Sequence, residues 1–290
     1  MQVFKIRKMN NVRNVFLAVF ILTAFCSCNH KSSELEQNGL NGNIKSIREI
    51  SYQAFGNGDT VVKGEIIMGA DINNYYAEYN IQGNQTSIIN YDNLGEMTDK
   101  WIFRYNSQKE AIGGNYYFKD NSLLDSTYYV KDNKGNILEF YHLFPDGRLR
   151  YKIDYTYNRK NKVIEKKVFD HENLLYSVTK YIYKHGNLIA DSNYGRNNEL
   201  QYFSIYSYDK NDRLILQQIH NADSSVNTTG TYGYNENDDI IYQTTEVPNE
   251  PKMTYRHTYK YDNHNNWIER ITYINDSAAY ITVRQIEYYK

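Results

Sequence analysis

The chain has 290 residues, with 33 Lys plus Arg against 34 Asp plus Glu, and this near-neutral balance does not favour nucleic-acid binding. Its 31 tyrosines and only three prolines are typical of β-sheets with half-wet surfaces rather than of a thick aliphatic core. Two cysteines exclude a disulfide-rich scaffold.

A secretory signal is predicted at the N-terminus. Four basic residues within the first 13 positions precede an apolar run of 11 residues, from Val15 to Phe25. This run is too short to cross a membrane as a helix and is typical of a signal peptide. We expect residues 1–27 to be removed. The mature chain then keeps 33 − 4 = 29 Lys plus Arg against 34 Asp plus Glu, a formal charge of −5.

The two cysteines, Cys26 and Cys28, directly follow the apolar run. A disulfide between them would be strained because residues two apart in an extended chain cannot easily close the bond. Small residues and a cysteine at the end of an apolar run resemble the lipobox of bacterial lipoproteins, in which the cysteine is diacylated and becomes the first mature residue. Ser27 favours Cys28 as the lipidation site. Cys26 is the alternative site, and an ordinary secretory signal is the alternative without an anchor.

The next two segments carry little repeated pattern. Residues 28–38 follow the proposed lipidation site, and we expect them to be a flexible tether. Residues 39–89 have weak periodicity, and we expect an N-terminal β cap that covers one end of a repeat array.

From residue 90 to residue 290 the chain repeats with a period of about 26 residues. A Tyr-x-Tyr-Asp motif precedes a polar gap and then two adjacent apolar residues, as in "YKYDNHNNWI" from Tyr259 to Ile268. The second aromatic position recurs at steps that differ from one another by no more than two positions. Counted backwards, the positions are Tyr261, Tyr234, Tyr208, Tyr183, Tyr157, Lys131 and Tyr105.

Each period predicts one β-hairpin. A weaker turn signal, such as "FPDGRL" after Phe144, lies halfway through each period, so one period holds two strands and two Asn/Asp/Gly turns. Stacked in chain order, the hairpins form an all-β, repetitive antiparallel meander. The adjacent apolar residues after the turn point to opposite faces, which favours a twisted or curled, elongated sheet.

The tyrosines of the motif predict an aromatic ladder. Tyrosines at positions i and i+2 share one face of a strand, and these pairs return on every second strand. The ladder is a candidate binding surface or a structural feature of the sheet. Its members are Tyr155, Tyr157, Tyr181, Tyr183, Tyr206, Tyr208, Tyr232, Tyr234, Tyr259 and Tyr261.

These motifs resemble the tyrosine-aspartate repeats of Rhs-type proteins, whose core is "YxYDxxGN" followed by an apolar pair. The segments "LNGNIKSIREISY" from Leu40 and "NWIERITY" from Asn266 resemble the ends of uncharacterised repeat lipoproteins of the Bacteroidetes. The second resemblance implies a cell-envelope location, with the lipid most simply in the outer membrane, and implies no activity.

No catalytic or metal-binding motif stands out in the sequence. The seven histidines lack metal-ligand spacing, and we interpret them as solvated turn residues. We therefore expect a non-enzymatic, lipid-anchored, monomeric envelope protein with no metal and no cofactor, whose sheet binds or scaffolds a glycan or protein partner but no nucleic acid. Two alternatives remain, a glycan-holding accessory of polysaccharide use and an immunity or antitoxin-type protein.

Overall fold

The computed structural model describes residues 33–56, 60–69 and 72–290. Cys26 and Cys28 lie outside these residues. The elements are α1 (Glu34–Gln37), β1 (Ile44–Phe55), β2 (Val62–Ile66), β3 (Asn74–Tyr79), β4 (Gln85–Tyr91), β5 (Met97–Tyr105), β6 (Ala111–Phe118), β7 (Leu123–Lys131), β8 (Ile137–Leu143), β9 (Leu149–Tyr157), β10 (Val163–Phe169), β11 (Leu175–Lys184), β12 (Asn187–Gly195), β13 (Leu200–Tyr208), β14 (Leu214–Asn221), β15 (Val226–Tyr234), β16 (Ile240–Glu246), β17 (Met253–Tyr261), β18 (Trp267–Ile274) and β19 (Ser277–Tyr288).

The strands form one antiparallel sheet that closes on itself. From β3 to β19 each strand pairs with the next, as a meander requires, and β1 pairs with both β3 and β19. The ring therefore contains 18 strands, while β2 pairs only with the far end of β1. The predicted all-β meander is confirmed, but the expected twisted or curled, elongated sheet is instead a closed barrel, because the first strand joins the last.

The seam between the two ends of the chain is paired along nearly all of β1. Residues from Ile44 to Gln53 face β19, and those from Ser46 to Glu49 also face β3. Glu49 forms an ion pair with Arg284 of β19 at 2.8 Å. Residues 39–89 thus supply strands of the ring and do not cap an exposed end.

The closed ring contains two periods that the sequence pattern did not reveal. Tyr79, at the end of β3, lies one period before Tyr105, and Tyr288, at the end of β19, lies one period after Tyr261. Their motifs are degenerate, since Ala77 and Ile286 replace the first tyrosine. Nine hairpin-length periods, each with two strands, account for the 18 strands.

The turns after the Tyr-x-Tyr motif share one geometry. In the turn between β7 and β8, the Asp132 side chain accepts hydrogen bonds from the backbone N–H groups of Lys134 and Asn136, both within 2.9 Å. Gly135 has a φ of +87°. Asn161, Asp212 and other residues take the same positive-φ position in sibling turns, as predicted for Gly and Asn there.

Alternate residues of each strand point into the barrel or out of it. Tyr181 is 8% exposed and its neighbour Ile182 is 56% exposed, which is the pattern of a concave inner and a convex outer face. Most inward side chains stay only half-buried, so they do not fill the interior. This agrees with the width of 18 strands, since barrels of that size enclose a lumen.

The turns define two rims. We call the end with the turns after the Tyr-x-Tyr motif the first rim and the opposite end the second rim. Helix α1 lies against the inner face at the first rim, where Leu35 is 3% exposed and packs in a core cluster with Ile47 and Tyr79. Residues 33–38 are therefore structured, and the expected flexible tether is wrong for them. Among the described residues no helix is long and apolar enough to cross a membrane.

Candidate functional site

The predicted aromatic ladder lies on the inner face of the barrel. Cross-strand pairing places its residues on the same side as the buried partners Thr179, Asp191 and Ser204. The structure therefore brings the ladder together around the lumen. Its outer-face counterparts, such as Lys180 and Ile182, are exposed to solvent.

Many ladder hydroxyls are used to hold the barrel wall. The second tyrosine of a motif donates a hydrogen bond to a backbone carbonyl 20 residues earlier, at the start of the preceding strand. The pairs are Tyr157 to Ile137, Tyr208 to Leu188 and Tyr234 to Leu214, with lengths of 2.8, 2.8 and 2.7 Å, and Tyr105 to Gln85. These bonds satisfy carbonyls at positions where the pairing of two strands shifts register next to the turn.

Burial keeps these phenols neutral. It raises the pKa of Tyr157 and of Tyr259 to about 12, well above the ordinary value near 10. Both side chains therefore act as hydrogen-bond donors over the physiological pH range. Tyr259 donates to the Ile240 carbonyl at 2.7 Å.

A charged cluster centred on Asp191 lies within the ladder. Tyr206 donates a hydrogen bond of 2.5 Å to the Asp191 carboxylate, and burial raises the pKa of that carboxyl group. Lys166, two strands away, has its pKa lowered by burial and partly restored by the charge of Asp191. The cluster adds charged groups to the inner face, and the Tyr206 hydroxyl is already bonded to the Asp191 carboxylate.

A second cluster, centred on Asp125, is less completely paired. The Asp125 carboxylate lies 3.2 Å from His142 Nε2 and 3.0 Å from Arg150 Nε. Both contacts are misaligned for hydrogen bonding, so Asp125 Oδ1, both His142 ring nitrogens and Arg150 Nε have no hydrogen-bond partner among the described residues. Burial lowers the pKa of His142, which makes its neutral form dominant near pH 7. Buried polar atoms without partners are uncommon in folded proteins.

Aromatic rings surround the Asp125 cluster. On the strands before it, Trp101 stacks on Tyr116 with ring centroids 4.7 Å apart. On the strands after it, Phe140 lies 5.9 Å from the Tyr151 ring. Flat aromatic surfaces therefore flank a buried ionic cluster on the same part of the inner face.

The other tryptophan, Trp267, also faces inward. The Arg284 guanidinium lies 3.4 Å from its ring centroid and at the same time pairs with Glu49. Since the chain has two tryptophans, both report on the barrel interior.

Sequence reasoning missed the polar clusters, although period-two alternation contained a signal for one of them. Asp125 lies six positions before Lys131, a ladder position, and so shares its face. The interpretation of the histidines as turn residues is wrong for His142, His220 and His257, which are half-buried strand residues. The described residues contain no group of three or more His, Cys, Asp or Glu side chains that could hold a metal ion.

No protein-family model matches the chain, and no curated protein matches it. Its fold is similar to that of a porin-like protein from Bacteroides uniformis, with 11% identity, a TM-score of 0.44 and coverage of 85% of this chain and 98% of that one. A porin-like protein from Bacteroides vulgatus gives 11% identity, a TM-score of 0.37 and coverage of 85% and 99%. The TcdB2-TccC3 structure gives 12% identity and a TM-score of 0.37, with 76% of this chain matched to 15% of that one.

Proposed function

We propose that the protein is a non-enzymatic, lipid-anchored envelope protein whose inner barrel face binds carbohydrate. The observation that carries this proposal is the row of inward-facing aromatic rings, in which the Trp101–Tyr116 stack and the Phe140–Tyr151 pair flank the charged Asp125 on the inner face. Sugars present both CH faces, which stack on aromatic rings, and hydroxyls, which satisfy donors and acceptors.

Two features suit this lining to a polymer rather than to a small molecule. The aromatic positions recur once in every period around the ring, so equivalent contacts follow one another along the wall. Most inward side chains are only half-buried, so the atoms that face the lumen are available for contact. A glycan chain that follows the wall could therefore repeat the same interaction.

The first experiment measures binding through the two interior tryptophans. Glycan arrays select ligands, and titration of each ligand is then followed by intrinsic fluorescence. We expect quenching by a bound glycan, lost in Tyr116→Ala because the stack with Trp101 is broken. A matched control is Tyr128→Ala, which removes a tyrosine from the outer face of the next strand, where it stacks on Tyr141. Equal loss in both variants, or no array signal for any glycan, would contradict the proposal.

A second experiment tests the anchor. We expect labelled palmitate to be incorporated in a bacterial host and lost in Cys28→Ala, because Ser27 provides the small residue that the cleavage site requires. Cys26→Ala should keep the label. Loss of the label in Cys26→Ala instead would assign the lipidation site to Cys26. Absence of label from the parent protein would contradict the lipid anchor.

A further inference from the structure

Positive charge is concentrated on one part of the first rim. Three consecutive turns lie there, between β7 and β8, β9 and β10, and β11 and β12. Together with Lys184, the last residue of β11, these turns carry five cationic side chains against one carboxylate, Asp132, for a net charge of 5 − 1 = +4. We call the five cationic residues the basic arc. They are Lys134, Arg159, Lys160, Lys162 and Lys184.

The basic arc differs from the second rim in how its charges are paired. On the second rim, Arg148 pairs with Asp146 and Arg196 with Asp170, each at 2.7 Å. These two second-rim cations are thus neutralised locally. Four members of the arc are exposed, and none of the four forms an ion pair within the described part of the chain, so they remain available to an external anion. These four are Lys134, Arg159, Lys160 and Lys184.

The chain enters the barrel at the same rim, close to the arc. The Leu35 N–H donates to the Gly83 carbonyl at 3.1 Å, and the Glu34 carboxylate accepts from the Gln85 N–H at 2.6 Å, so α1 is fixed beside the turn between β3 and β4. Along this rim, one turn, between β5 and β6, separates the turn beside α1 from the first turn of the arc. The first described residue and the basic arc therefore belong to one face of the molecule.

An N-terminal lipid would hold this face against a membrane. Ser33 lies five positions after Cys28, and a chain of that length can extend no further than about 18 Å. The arc would then lie within reach of lipid headgroups, whose field decays over a Debye length of about 8 Å. A single lipid signal and a polybasic patch commonly act together in membrane attachment.

We infer that the basic arc docks on anionic phospholipid headgroups, with the first rim against the membrane and the second rim open away from it. The inference rests on the anchored location in the proposed function, but the arc is a separate contact with its own salt dependence. Attraction to the headgroups is specific to negative charge, whereas the acyl chain inserts into neutral and anionic bilayers alike.

The test uses the complete protein purified from a bacterial host, with its acylation state read by mass spectrometry. Partition is measured by flotation with vesicles of phosphatidylcholine alone and with added phosphatidylglycerol. We expect tighter partition into the anionic vesicles, weakened about fivefold for each cation removed in Arg159→Gln and Lys160→Gln. Raising the salt concentration should remove the difference between the two vesicle types.

The matched control carries Arg148→Gln and Arg196→Gln on the second rim and should partition like the parent. Equal partition into both vesicle types, or equal effects of the two double variants, would overturn the inference. Binding of the parent to an acidic polysaccharide resin, without preference for anionic vesicles, would also overturn it. If no acyl chain is found, an anionic preference that depends on Arg159 and Lys160 still supports the arc, while the anchor fails separately.

Discussion

At the scale of single residues, the ladder tyrosines have two separable roles. Their rings line the interior, and many of their hydroxyls hydrogen-bond to the barrel wall, as Tyr208 does to the Leu188 carbonyl at 2.8 Å. Because the bond and the ring can be removed independently, substitution distinguishes wall stability from ligand contact.

Tyr208→Phe should lower the free energy of unfolding by about 1 kcal/mol, since it removes one hydrogen bond and leaves a carbonyl without its donor. Chemical denaturation measures the change. Tyr176→Phe is the control, because Tyr176 lies on the outer face and is 62% exposed. A loss at Tyr176 as large as that at Tyr208 would mean that the internal hydroxyl has no special role.

Stability should fall in mild acid because of His257. Burial, with a smaller contribution from Arg270, lowers its pKa to about 4, below the ordinary value near 6.5. The unfolded chain then binds a proton at a higher pH than the folded one. The contribution of His257 to the free energy of unfolding is complete above pH 6.5. It is lost as the pH falls toward 4, by about 1.4 kcal/mol for each pH unit.

His257 Nδ1 lies 3.0 Å from the Thr272 hydroxyl oxygen. His257→Gln, whose amide can still reach that hydroxyl, should flatten this part of the pH dependence of unfolding. His171→Gln changes an exposed turn residue and should leave the slope unchanged. The same slope in all three proteins would assign the acid sensitivity to other groups, such as His142.

At the scale of elements, the turns are the feature that sequence reasoning recovers best. Their Asn, Asp and Gly residues are needed locally, for side-chain hydrogen bonds and positive φ, so the pattern is legible without tertiary context. The interior clusters are less legible, because Asp125, His142 and Arg150 lie on three different strands and meet only through strand pairing. The end periods were missed because Ala77 and Ile286 stand where the first tyrosine of the motif is expected. Both residues pack in or against the core cluster beside α1.

Gly135→Ala should cost about 1 kcal/mol or slightly more, from backbone strain alone. Its φ is +87°, and a Cβ there would meet no atom within 4 Å, so no steric clash adds to the loss. Asn161 occupies the equivalent position of a sibling turn and has a φ of +56°. Asn161→Gly should therefore be close to neutral, because glycine adopts this φ without strain. Thermal unfolding of both variants measures this, and equal losses would show that φ does not govern these turns.

At the scale of the whole molecule, closure was the property that the sequence could not supply. The repeat period predicts hairpins equally well in an open or a closed sheet. Whether the sheet is open or closed depends on the pairing of β1 with β19, between residues more than 200 positions apart. No local pattern encodes that contact, although Ile47, which is 1% exposed at the seam, stabilises it.

Closure also changes the expected response to substitution around the ring. In an open array Tyr261 would lie near an end, and Tyr261→Ala would cost less than Tyr183→Ala. In the ring both positions have neighbours on two sides, so we expect similar losses of about 3 kcal/mol. Denaturant titration of the two variants measures them, and a clearly smaller loss at Tyr261 would indicate that the seam opens readily.

The circumference of the ring is set by its number of periods, which is nine. One additional period would insert two strands, and at the usual strand spacing this lengthens the wall by about 9–10 Å. Because each period carries its own two strands and two turns, the insertion could occur between any two hairpins without a new seam. Duplication of a single period is therefore a route to a wider lumen with the same wall chemistry.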